Sequence, residues 1–140
     1  MNRTFPLAGL LRVREVEEDR AAGELARAQR DRAAADERVE AVRAELQGQD
    51  PRPANDAAWQ AMVAGRAALS ALLSESIAAR QAAEQQVRGR EQDWTAARTR
   101  TRAVARLAER HAERVTAAER KAEQAGLDEI AARAAQEEER

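Results

Sequence analysis

Apolar residues recur along this chain in alternating steps of three and four. Between residues 25 and 46 the rule picks Leu25, Ala28, Ala35, Val39, Val42 and Leu46, with a gap at Arg32. Farther on it picks Trp59, Met62, Leu69, Leu73, Ala83, Val87, Trp94, Ala97, Val104, Ala108, Val115 and Ala118. Interruptions of that second series fall at Arg66, Ser76, Arg80, Arg90, Thr101 and His111. A repeat of about 3.5 residues held this long predicts helices that wind on a partner with a left-handed supercoil. Ahead of the first series, Leu7, Leu10, Leu11, Val13 and Val16 spread over a wider face, where the seam shifts or a second surface begins.

One stretch breaks the pattern. GQDPRPAND, residues 48–56, carries Gly48, Pro51 and Pro53. Gly48 stands where a helix C-cap uses the freedom of glycine at φ > 0, and the prolines forbid continuation. Asn55 or Asp56 then caps a second helix. The expected elements are a helix over about 5–47, with Thr4 as N-cap and Pro6 in its first turn, a loop over about 48–55, and a helix over about 56–136. Gly23, Gly65, Gly89 and Gly126 have no proline beside them, so both helices should run through them. The closing EEER sets carboxylates at the negative end of the helix dipole and predicts fraying. The fold class is all-α: one domain, a long antiparallel two-helix coiled-coil hairpin whose second helix is much the longer.

Folding about the loop sets residue i roughly opposite residue 103 − i. Leu46 then meets Trp59, Leu10 meets Trp94, and Glu15, Glu17, Glu18 and Asp19 lie beside Arg88 and Arg90. A parallel pair of chains satisfies the same repeat. In the hairpin, helices reaching roughly 65 and 120 Å leave the second without an internal partner beyond about residue 98. Val104, Leu107, Val115, Leu127 and Ile130 punctuate that overhang, a surface for another protein to cover. An overhang that bends back or dimerises is the rival reading.

Composition narrows the class. Hydrophobic residues make up 44% of the 140, yet Leu, Ile, Val and Phe number only 21, too few for a thick globular core. Net charge is −1 with both signs interleaved, and the abundant Ala, Arg, Glu and Gln are strong helix formers. There is no Cys, which excludes disulfides and thiolate metal sites and fits a reducing compartment. No stretch reads as the roughly 20 apolar residues of a membrane helix. The opening MNRTFPLAGLL lacks the length and cleavage site of a signal peptide, so a soluble cytoplasmic protein is expected.

Candidate chemistry is thin. Phosphate-cradling glycine loops, a nucleophile elbow and an HExxH pair are all missing from the sequence. The one histidine, His111, falls on the seam phase between Arg110 and Arg114, where it reads as packing rather than as a ligand. The carboxylates are spaced as helix-surface ion pairs. An enzyme is not predicted, nor a cofactor, a metal or a small-molecule substrate. Residues 88–121 carry a net charge of +5 and residues 122–140 one of −4. The arginine run RTRTRAVAR, residues 98–106, is a solvated face, a contact for an acidic protein, or a phosphate site. Nucleic acid fits least, because no aromatic residues interleave the arginines. Trp59 and Trp94 read as seam anchors, or as binding hot spots if exposed.

The two ends of the chain carry a resemblance. TFPLAGLLRVREVEEDRAAGELARAQ, residues 4–29, resembles the opening of FliJ proteins, small components of the flagellar type III export apparatus. It has their aromatic residue, apolar pair, double Leu and alternating Arg and Glu before an Ala-rich heptad run. AERKAEQAGLDEIAARAAQ, residues 118–136, is similar to the family's closing segment, with the core Leu127, Asp128, Glu129 and Ile130. Trp59 and Trp94 sit where members carry tryptophan, and the likeness covers essentially the whole chain. It implies an antiparallel coiled coil like the stalk of the rotary ATP synthase γ subunit, inserted in the hexameric ring of the export ATPase, FliI. It further implies contact with the cytoplasmic domain of the export gate, FlhA, and escort of export chaperones, with the membrane reached only through partners. The gate contact maps to Leu69 and Leu72, with Gly65 and Ser76 as smaller neighbours than the family can carry. The ATPase contact maps to the end where the termini meet, Phe5 to Arg14 (Phe5, Leu7, Leu10, Leu11, Arg14) and Ala118 to Ala132 (Leu127, Asp128, Glu129, Ile130). The alternative is a structural coiled-coil scaffold unrelated to export.

Overall fold

The computed structural model describes residues 3–49 and 52–138. Nearly all of them lie in two helices, α1 (Ala8–Gln47) and α2 (Asp56–Glu138), and there is no strand among the described residues. Both helices pass unbroken through Gly23, Gly65, Gly89 and Gly126. High intrinsic helix propensity at most other positions outweighs a cost of about 1 kcal/mol for each such glycine.

The helix ends depart from expectation in two places. α1 begins at Ala8 rather than near Phe5, because Pro6 restricts Phe5 to extended backbone and forms a turn with Leu7. The Ala8 amide donates to the Phe5 carbonyl at 3.1 Å and the Leu11 amide to the Leu7 carbonyl at 2.9 Å, so the cap position passes from Thr4 to Leu7. Gly48 does not use a left-handed cap, since no glycine among the described residues has positive φ. Its amide still donates to the Ala44 carbonyl at 2.9 Å, and an added Cβ would stand 3.3 Å from that oxygen. Close approach of backbone, not handedness, makes glycine useful there. Pro51 lies outside the described residues. Asn55 caps α2 as its chemistry predicts, its Oδ1 accepting from the Ala58 amide at 2.8 Å. α2 continues to Glu138; the last two residues of the acidic closing run lie outside the described residues.

The chain divides into two compact units, residues 19–96 and residues 1–18 with 97–140. In the unit of residues 19–96, Arg90 Nη1 donates to Glu24 Oε2 at 2.8 Å. Arg80 Nε stands 3.9 Å from Asp36 Oδ1, an ionic contact too long for a hydrogen bond. These pairs set residue i level with residue about 115 − i, which replaces the expected 103 − i. The shift has a physical origin in the connection. Gln49 Nε2 lies 3.7 Å from where a Cβ on Gly65 would be, so Gln49 stands beside the third turn of α2 and not at its start. α2 therefore starts about three turns beyond the end of α1.

Three expectations change with that register. Leu46 lies level with Leu69, not with Trp59, and Trp59 is 52% exposed. Trp94 lies level with Ala21, not with Leu10. Arg90 pairs with Glu24 and Asp93 rather than with the acidic group of Glu15 to Asp19. Val63 is also exposed. The seam itself follows the predicted phase: Ala28, Val39, Val42, Ser76 and Val87 are buried, and Leu25, Ala35, Leu46, Leu69, Leu73 and Ala83 are half-buried.

In the unit of residues 1–18 and 97–140, the pairing is again antiparallel. Thr101 Oγ1 donates to the carbonyls of Arg14 at 3.0 Å and of Ala97 at 3.1 Å. The Phe5 and His111 rings lie 5.7 Å apart, and Arg3 reaches Glu119 at 2.9 Å. Coverage thus extends to Glu119, and the uncovered stretch begins near residue 120 instead of 98. Val104 is buried and Val115 half-buried, so of the five apolar residues assigned to an overhang only Leu107, Leu127 and Ile130 are exposed. Phe5, Ala8, Leu11, Arg14 and Glu18 line the α1 side of the seam, while Leu7, Leu10, Val13 and Val16 face outward as a second surface. By length and composition alone, α2 contains a window apolar enough to cross a membrane. The sequence pattern does not flag it, because alanines between isolated charges raise its average without forming an uninterrupted apolar run.

Candidate functional site

The residues assigned to the ATPase contact all fall in the unit of residues 1–18 and 97–140. They occupy two environments. Phe5, Leu11 and Arg14 are half-buried in the seam, where Phe5 packs on His111 and Arg14 offers its carbonyl to Thr101. Leu7 and Leu10 are exposed at its edge. Leu127 and Ile130 are 61% and 66% exposed on turns of α2 that nothing covers, since every residue from 121 to 138 is exposed. Asp128 accepts from Gln124 Nε2 at 2.8 Å and Glu129 accepts from Arg133, so the acids between the two apolar residues are held along the helix.

A pocket of about 420 Å³ opens where α1 begins, lined by Phe5, Pro6 and Leu7 on one side and by Leu107, His111 and Arg114 on the other. It exists because the Pro6–Leu7 turn delays the start of α1 and leaves a notch beside α2. His111 Nε2 is buried without a partner among the described residues. Leu107 is legible as apolar but lies off the heptad phase, and that offset is the signal that places it at the rim of the pocket instead of in the seam.

The four residues assigned to the gate lie on α2 in the unit of residues 19–96, and the fold does not present them as one surface. Leu72 is 42% exposed, as its position one step off the seam phase predicts. Leu69 and Gly65 are half-buried, Gly65 beneath Gln49. Ser76 is only 3% exposed, level with the fully buried Val39, and its hydroxyl has no hydrogen-bond partner among the described residues. A side chain so enclosed cannot meet another protein while the seam is closed. Ser76→Ala should raise stability by about 1 kcal/mol by removing an unsatisfied buried hydroxyl. Thermal melting followed by circular dichroism reads this directly, and a lower melting temperature would mean that the hydroxyl is bonded.

Among the described residues no three His, Cys, Asp or Glu side chains converge as a metal site would require. Arg102, Arg106, Arg110 and Arg114 are exposed, and none pairs with a carboxylate among the described residues. What the arrangement offers is apolar edges and uncovered helix, the means of binding protein.

No curated protein and no solved structure matches the chain. A family model does, the one described as flagellar FliJ protein, over residues 3–140. That match spans nearly the full length and agrees with a helical pair in which the second helix is about twice as long as the first. The chain belongs to the FliJ family and is a component of the flagellar export apparatus.

Proposed function

We propose that this chain is the stalk of the export ATPase ring, and that it links the ring to the export gate while supplying no chemistry of its own. The observation that carries the reading is the uncovered stretch of α2 from residue 121 to 138, with Leu127 and Ile130 exposed on it beyond the Arg3–Glu119 pair. Apolar groups on a helix that its own chain leaves bare gain about 25 cal/mol per Å² when a partner covers them. A hexameric ATPase of the FliI type offers an axial hole that two helical ends can enter. The partner hydrolyses ATP, and the stalk changes how its subunits assemble and turn over. Export chaperones and the cytoplasmic domain of an FlhA-like gate are the further partners. The chain acts in the cytoplasm, at the inner face of the membrane through those partners.

The test is ATP turnover by the export ATPase with and without this protein. Stimulation supports the stalk; identical turnover across a concentration series rules it out. On the gate side, Leu72 is the exposed residue able to make contact, Leu69 and Gly65 are half-buried, and Ser76 contributes only to the seam. Leu72→Asp should leave helix content intact and weaken gate binding at least about tenfold, the size expected on losing one central apolar anchor. Retained affinity would remove Leu72 from the contact, and a fall in helix content would place it in the seam.

A further inference from the structure

Four side chains on the opening turns of α2 form a stripe of their own. Asp56, Trp59, Val63 and Arg66 follow steps of three, four and three, the spacing that keeps residues on one helical face. All four are exposed, Trp59 at 52% and Val63 at 50%. The stripe lies about a quarter of the way round the helix from the seam residues Leu69, Leu73 and Ser76. α1 does not reach it, because Gln47, the last residue of α1, is about level with Ala68. Gln49 stands beside Gly65, roughly 140° around the helix from the middle of the stripe. Neither Asp56 nor Arg66 takes part in an ion pair among the described residues of this unit.

We infer that this stripe pairs with itself: two copies of the chain meet through it, antiparallel about a two-fold axis, with residue i against residue about 122 − i of the second copy. The order of steps is unchanged by reversal, so each of the four residues falls opposite another of the four, all on a single face. Trp59 of each copy packs on Val63 of the other, and Asp56 of each meets Arg66 of the other. Apolar contacts occupy the centre and opposite charges the rim, the usual anatomy of a specific interface, with tryptophan as its anchor. The charges select the occupant. The acid leads and the arginine closes, so a helix of the same order running the other way presents arginine to acid and acid to arginine. A parallel copy in register would set Asp56 on Asp56 and Arg66 on Arg66. The patch is small, so the association is weak and reversible. It shares no residue with those assigned to the ring or the gate, and it does not rest on the stalk reading.

Sedimentation equilibrium of the full chain, from about 10 μM to about 1 mM, should give a reversible dimer that weakens as salt rises. Val63→Asp should abolish it with helix content unchanged, since that side chain is exposed and off the seam. Asp56→Arg sets arginine against arginine at both edges of the patch, and Arg66→Asp sets acid against acid. Each should raise the dissociation constant about tenfold or more. An equimolar mixture of the two variants should form a heterodimer about as tight as the unchanged dimer, because opposite charges then meet at both edges. A monomer at every concentration overturns the inference. So does a dimer indifferent to Val63→Asp, or a mixture that associates no better than either variant alone.

Discussion

Val42→Asp is expected to cost the hairpin about 3 kcal/mol or more, and to lower the melting temperature by many degrees. Val42 is 5% exposed and belongs to the most apolar length of the seam. Val39, also buried, lies one turn before it on α1, and the half-buried Leu69 and Leu73 face that stretch from α2. A carboxylate placed there lies in the apolar seam, and Arg80 of α2 is drawn to Asp36 a turn and a half away. It must desolvate or force the seam open. Urea or thermal melting followed by circular dichroism gives the size of the effect. A loss under 1 kcal/mol would mean that the two helices separate locally at little cost and that Val42 is not held between them.

The second large effect concerns partners and not stability. Deleting residues 121–140 removes only exposed side chains among the described residues and leaves the Arg3–Glu119 pair in place. Helix content should fall in proportion to the residues lost, and the melting temperature should stay within a few degrees. Stimulation of the export ATPase should disappear. Full stimulation by the shortened chain would move the ring contact onto α1, to Leu7, Leu10, Val13 and Val16. A large drop in melting temperature would mean that the stretch supports the seam.

Much of the seam is legible in the amino-acid sequence. The three-and-four spacing locates its residues on α2 from Leu69 to Ala118, and it anticipates which polar residues interrupt them. Thr101 and His111 sit in the seam as the spacing requires, one bonded to a carbonyl and the other packed on Phe5. The loop and the N-cap at Asn55 follow from local chemistry. The register does not. A heptad pattern is unchanged when one helix slides by whole repeats, and only the path of the connection decides among the alternatives. Residues 48–55 lack the periodicity that reports a path, so a tight turn is the default, and every pairing inferred from it moves by about twelve residues. Trp59 leaves the seam for that reason, and the start of the uncovered stretch shifts with it.

The candidate sites divide along the same line. Leu72 can be recognised as outward because being off phase is a local property. Ser76 cannot be recognised as enclosed, since its burial depends on Val39 coming level with it. The pocket under Phe5 and Leu107 depends on where α1 begins, which Pro6 sets through its effect on the residue before it. Helix boundaries are where sequence patterns say least.

The displaced start of α2 leaves the chain with its own optical reporter. Trp59 stands largely in water beside Val63, whereas Trp94 is half-buried. Their emission should therefore separate into a red-shifted, readily quenched component and a blue-shifted, protected one. With no tyrosine and no other tryptophan in the sequence, any docking on the opening turns of α2 would appear as loss of the quenchable fraction, without a label.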